Sequence, residues 1–193
     1  VVLKEKETLR LKVRAKEGAA PGAVPAEPWR EKRFNAVSGK EAEGWQRETR
    51  GALVSLLGLD ACAAQWAKAP LKAREVGRRK ADGFRLTEVE FAATPDRRIR
   101  VLVGAPEVGG RAARPAVVCI GGHGSKPEDV FDKKSIYKGF AAALARAGAV
   151  VVAPDIAYHD KDAAFKTLLG QRTWDLMRCV DYLASLDTVD PAR

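Results

Sequence analysis

Pro115-Ala-Val-Val-Cys-Ile-Gly-Gly-His-Gly-Ser-Lys126 is the stretch on which the fold turns. Ala116 to Ile120 is an unbroken apolar run, the pattern of a parallel strand covered on both faces. Three glycines in the next four positions end it, so the strand gives way to a tight turn. Downstream, residues 136–147 carry apolar groups at helical spacing. Tyr137, Phe140, Ala141 and Leu144 form the stripe expected to be buried, and Gly148 ends it. Ala149 to Ala153 is a second apolar run and predicts a second buried strand. Residues 171–186 predict an amphipathic helix that buries Leu176, Val180 and Leu183, with Trp174 and Met177 beside them. Asp190-Pro-Ala-Arg193 then has turn chemistry and is expected to feed another strand.

Upstream of Pro115 the periodicity changes to two. Ile99, Val101 and Val103 alternate with polar neighbours over Arg98 to Gly104, which predicts a half-buried strand. Phe84 to Ala93 is its expected partner, joined by the turn Thr94-Pro95-Asp96-Arg97. The apolar phase shifts near Thr87, which predicts a bulge. Ser38 and Glu41 have capping-box spacing and open a helix. Trp45, Ala52, Leu53, Leu56 and Leu57 share one of its faces, and Gly58 stops it, with Leu59 folding back. Residues 1–37 hold Pro21, Pro25 and Pro28 among small residues and are expected to be an irregular extension. A hairpin followed by strand, helix, strand and helix is the order of an open α/β sheet.

Composition narrows the function classes. At 46% hydrophobic and 31% charged, the 193 residues fit one soluble domain with an appendage. No apolar run approaches the roughly 20 residues of a membrane span. The net charge of +9 raises the prospect of a polyanion partner, but the cations are spread among Asp and Glu, so no specific nucleic acid is expected. Cys62, Cys119 and Cys179 stand far apart and make neither a zinc spacing nor a disulfide framework. Val1 to Lys16 is too charged for a secretory signal. The chain opens on Val rather than Met, so export after removal of a leader stays open.

In open α/β sheets, ligands bind at the carboxyl ends of strands. Two such ends carry candidate site residues. After Ile120 come Gly122, His123, Gly124 and Lys126, where free backbone N–H groups can hold a developing oxyanion. A plain glycine turn and a phosphate cradle are the alternatives, although neither P-loop spacing nor G-x-G-x-x-G is present. After Ala153 come Asp155 and His159, on the same rim. Neither His123 nor His159 has partners at metal-ligand spacing, so no metal is expected.

From Trp45 to Arg193 the sequence resembles the first part of bacterial α/β-hydrolases of the acetyl-xylan-esterase and dienelactone-hydrolase type. The resemblance is carried, in order, by Leu56-Leu57-Gly58-Leu59, Asp82-Gly83-Phe84, Pro106, the quoted stretch from Pro115 to Lys126, and Ala147 to Asp155. It implies the N-terminal portion of an α/β-hydrolase fold over 38–193, an antiparallel hairpin leading into a parallel sheet with flanking helices. It also implies a serine carboxylic-ester hydrolase that uses no cofactor and takes a small-molecule or carbohydrate ester. The family nucleophile sits in a G-x-S-x-G elbow. That motif is absent up to Arg193, so Ser, Asp and His are all expected beyond it, and no catalytic residue is expected within the chain. Ser125 lacks both an elbow and a base. The family commonly has His where Gly121 stands, and the N–H groups of His123 and Gly124 are its best oxyanion candidates. The resemblance leaves the other half of the domain, or a partner chain, to complete the sheet along the edge after Ala149–Ala153. The alternative function is a non-catalytic binding or interaction module built on a hydrolase-like half sheet.

Overall fold

Five strands make one mixed sheet in a computed structural model that describes residues 34–107 and 113–190. They are β1 (Arg74–Ala81), β2 (Phe84–Thr94), β3 (Arg97–Pro106), β4 (Ala116–Val118) and β5 (Val150–Pro154), in the spatial order β1-β2-β3-β5-β4. The helices are α1 (Gly39–Leu57), α2 (Leu59–Trp66), α3 (Phe140–Arg146) and α4 (Leu168–Ala184). The expected extension lies outside the described residues except for 34–37, which carry no helix or strand. The chain divides into two compact units between Arg47 and Glu48. In the first, Glu41 N–H donates to Ser38 Oγ at 3.3 Å, and the Glu41 carboxylate returns to Val37 N–H at 2.9 Å, one residue before the expected partner. Phe34 packs edge-on against Trp45. Everything below concerns the second unit.

The sheet is covered on both faces, and strand alternation assigns each side chain to one of them. Val101, Val103, Val150 and Val152 belong to a core built with Trp66, Phe91, Trp174, Cys179 and Tyr182. Leu102, Val151 and Ala153 belong to a second core with Phe84, Leu86, Ala141, Ala142 and Ala145. This division corrects the reading of Thr87 as a bulge. The β2–β3 register runs unbroken through Thr87↔Val103 and shifts only between Ala92 and Thr94. The apolar phase changes because Phe84 and Leu86 face one core whereas Val89 and Phe91 face the other.

Four further expectations are corrected by tertiary packing. Strand β3 is interior rather than half-buried, because β5 pairs antiparallel along its far side. Strand β4 is three half-buried residues at the sheet edge, since β5 inserts between it and β3. The edge on the parallel side of the sheet is therefore that of β4, not the one after Ala149–Ala153. Helix α3 starts at Phe140, after Lys138 and Gly139 take left-handed φ values of 55° and 65°. It buries Ala141 as expected, with Ala142 and Ala145, whereas Tyr137 and Leu144 are only half-buried and Phe140 is exposed. Small side chains let it lie close to Gly104, where a Cβ would come 2.8 Å from Val151 Cγ2 and 3.4 Å from Ala145 Cβ. Helix α1 keeps Ala52, Leu53 and Leu56 exposed and buries only Leu57.

Helix α4 buries Trp174 and Leu183 as expected, but not the whole of its predicted face. Val180 is 55% exposed and Met177 is exposed too, while Asp175 and Arg178 are buried beside Trp174 and Cys179. Hydrogen bonds explain why polar side chains share the buried face. Arg178 donates to Ala69 O at 2.7 Å and pairs with Asp181, and Trp174 Nε1 donates to Ala93 O at 2.7 Å. Thr167 caps the helix by accepting from Gly170 N–H at 2.8 Å. Two elements escaped the sequence reading, α2 and β1. Strand β1 is almost wholly exposed and charged, so it has no apolar period, although Asp82-Gly83 with Gly83 at φ 78° is a strong hairpin turn.

Candidate active site

The glycine turn leaves β4 at the carboxyl end of the strand, where an open α/β sheet gathers ligands. Cys119 N–H still donates to Val152 O at 2.7 Å, so the chain leaves the sheet only at Ile120. Beyond it the backbone is held at three points. Gly122 N–H donates to Tyr137 Oη at 2.5 Å. Gly122 O accepts from Ser125 Oγ at 2.7 Å and from Ser125 N–H at 3.1 Å. Lys126 N–H donates to Asp129 Oδ2 at 2.8 Å and so caps a short 3-10 helix, Pro127–Val130. Gly124 sits at φ 73°, a conformation that favours glycine. Among the described residues, the N–H groups of His123 and Gly124 have no acceptor in the protein.

A cavity of about 190 Å³ opens at this turn. Gly122, His123, Ser125 and Lys126 line one side, and Ile156, Ala157 and Arg172 the other. It adjoins a wider hollow formed by Gly124, Lys126, Asp155, Tyr158 and His159. All six residues singled out from the sequence thus meet at two adjoining cavities. The structure also brings the two histidines together, with His123 and His159 rings edge-to-face at 4.9 Å between centroids. Asp155 is exposed, its N–H donates to Arg100 O at 3.0 Å, and no hydrogen bond joins it to His159. No ion pair engages the Lys126 ammonium among the described residues.

The nucleophile question has a chemical answer within the described residues. Ser125 commits its hydroxyl proton to Gly122 O, and no base stands on its oxygen. The Cys119 thiol lines the cavity, but burial pushes it up to about 11, so it stays protonated and unreactive near neutrality. No cluster of metal-ligating side chains occurs among the described residues, and no helix there is long and apolar enough to cross a membrane.

Residues that sequence reasoning missed hold the second rim. Asp175, fully buried on α4, binds the Arg97 guanidinium through both oxygens and accepts from Tyr158 Oη at 2.6 Å. Burial pushes the Tyr158 phenol up, and its bond to Asp175 pushes it further, so it remains a neutral donor. Arg172 donates to Tyr158 O and stacks over its ring at 5.5 Å. Asp162 N–H donates to Gln171 Oε1 at 2.7 Å. The loop bearing Asp155 and His159 is thereby pinned to α4 on both sides of His159. A tyrosine's need for a partner when buried was the one available signal for Tyr137 and Tyr158. Their partners lie 15 and 17 residues away, beyond any local pattern.

Comparison with known proteins agrees with this architecture. The model of the Abhydrolase family matches residues 28–188. A candidate acetyl xylan esterase of Bacteroides fragilis NCTC 9343 superposes with a TM-score of 0.63 at 18% identity, covering 83% of this chain and 48% of its own. The acetyl xylan esterase of Paenibacillus sp. R4 gives a TM-score of 0.51 at 16% identity, covering 68% of this chain and 46% of its own. Methylesterase BT1017 gives 0.53 at 20% identity, covering 73% of this chain and 32% of its own. The chain thus spans half or less of the length of these solved structures. No curated protein matches it in sequence. With a sheet in which β5 lies between β3 and β4, a glycine turn at the carboxyl edge, and a family match over most of its length, the chain belongs to the Abhydrolase family and has the front part of an α/β-hydrolase fold.

Proposed function

We propose that this chain is the front part of a serine carboxylic-ester hydrolase and supplies its oxyanion turn. The observation that carries the reading is the pair of acceptor-free N–H groups on His123 and Gly124, beside a cavity at the carboxyl end of β4. An ester carbonyl seated there becomes an alkoxide when a nucleophile adds, and the two donors meet that charge. One preorganised donor of this kind is worth about 3 to 4 kcal/mol of barrier. Lys126, Asp155 and His159 then form part of the substrate wall. We read residues 38–193 as the partial domain and 1–37 as its extension.

The nucleophile, acid and histidine lie past residue 193 in this reading. The chain after α4 supports it. Thr188 to Asp190 returns beside the start of β4, with Arg114 N–H donating to Thr188 O at 2.9 Å and Asp190 N–H to Arg114 O at 2.8 Å. Arg114 and Val189 form a parallel bridge there, the geometry in which a following strand would run along β4. The resemblance to solved acetyl xylan esterases favours an acetylated carbohydrate as substrate.

Labelling with a fluorophosphonate tests the assignment. The full natural polypeptide is expected to hydrolyse p-nitrophenyl acetate and to take the label on a serine beyond residue 193. Label on Ser125 would overturn the assignment. Neither turnover nor label would make the chain a binding module on a hydrolase-like half sheet.

A further inference from the structure

We infer that Tyr137 and Ser125 are positioning residues which aim the oxyanion donor of His123. The inference rests on the ester-hydrolase reading above, but its structural half does not. In a planar trans peptide the carbonyl and the following N–H point in opposite directions. Ser125 Oγ and N–H both hold Gly122 O, at 2.7 and 3.1 Å. With that carbonyl turned inward, the His123 N–H of the same peptide must point the other way. Tyr137 Oη fixes the preceding peptide by accepting Gly122 N–H at 2.5 Å. Gly122 is therefore gripped on both sides, and the plane that carries the His123 donor cannot rotate without breaking one of the grips.

The local sequence is built for this clamp. A Cβ on Gly121 would collide with Ser125 Oγ and come 2.8 Å from Ser125 Cβ. One on Gly122 would stand 3.0 Å from Tyr137 Oη. Tyr137 itself is held by the turn before α3, where its N–H donates to Ser135 Oγ at 3.1 Å and its ring meets Phe140 edge-on at 6.5 Å. That turn needs left-handed φ at Lys138 and Gly139, and a Cβ on Gly139 would come 3.0 Å from Phe131 O. The left-handed pair that delays α3 is what delivers the phenol to the glycine turn.

Two measurements on the full natural polypeptide test this. Tyr137→Phe removes only the phenol oxygen. It is expected to lower kcat by about tenfold with KM changed less than about twofold, because a misaimed donor weakens transition-state rather than ground-state binding. Ser125→Ala, which keeps the Ser125 N–H grip, is expected to show the same split but a smaller loss, whereas a nucleophilic serine would lose all turnover. Independently of activity, Gly122 amide exchange is expected to quicken in Tyr137→Phe while amides of β5 keep their rates. Unchanged Gly122 exchange would overturn the clamp. Altered exchange with unchanged kcat would leave the clamp but overturn its role in catalysis. An unsubstituted protein with no ester turnover would overturn that role together with the ester-hydrolase reading.

Discussion

At Asp175 a single buried carboxylate does the work of several surface contacts. It lies inside a core of Trp174 and Cys179, and it is tolerated because Arg97 and Tyr158 satisfy both its oxygens. Removing one partner of a buried ion pair leaves the other charge uncompensated, so Asp175→Ala is expected to cost about 3 to 5 kcal/mol. Tyr158→Phe leaves the ion pair intact and is expected to cost about 1 kcal/mol. Urea denaturation of the two variants checks both values, and equal losses would show that leaving the Arg97 charge unpaired is not what makes the alanine variant unstable. Nothing local marked this residue. Asp175 follows Trp174 on a helix that also leaves Leu169, Met177 and Val180 open to solvent, so apolar position alone does not mark the buried side.

Elements in this fold meet through glycines at the points of closest approach. Helix α4 reaches the end of α1 at Gly170, where a Cβ would run into Leu57 O and stand 2.9 Å from the capping oxygen of Thr167. The obstacle is backbone, which cannot swing aside as a flexible side chain would. Gly170→Ala is therefore expected to destabilise by about 1 to 3 kcal/mol, despite the better helix propensity of alanine. A thermal midpoint equal to or above that of the parent would refute the close approach. The same helix shows why period-based reading located it but found only part of its buried face. Its extent was legible to within a turn, with α4 running over Leu168–Ala184 rather than 171–186. Of its buried face, Trp174 and Leu183 were legible but Asp175 and Arg178 were not, because polar side chains with tertiary partners count as exposed in any apolar tally.

Over the whole molecule, the buried thiols couple folding to alkaline pH. Burial pushes Cys119 up to about 11 and, with Asp175 adding to it, Cys179 up to about 12, against an ordinary value of 9.0. As pH rises past that ordinary value, the unfolded chain loses these protons and the native state keeps them, so the native state binds more. Their contribution to stability is complete below about pH 9 and is lost as pH climbs through the native values. The urea midpoint is expected to fall between about pH 8 and about pH 10. The fall should be smaller in a Cys119→Ala/Cys179→Ala double variant. A midpoint that holds or rises over that interval would contradict the assignment. Both thiols sit under the sheet, one in each core, so the titration reports on the two faces together.

By itself the amino-acid sequence determined most of the kinds of element and the order in which they follow one another. Continuous apolar runs at Ala116–Ile120 and Ala149–Ala153, followed by glycine and proline, are enough to place two strands and their loop-bearing carboxyl ends, although only the second proves to be covered. Backbone propensity and apolar period act over a few residues, so they can be read along the chain. Only the tertiary structure decided that β5 lies between β3 and β4, that Phe84 and Val89 serve opposite cores, and that the Gly122 amide is held by Tyr137. Each depends on hydrogen bonds and contacts between residues distant in sequence. Their partners are chosen by how the layers close over the sheet, which no short window of sequence contains.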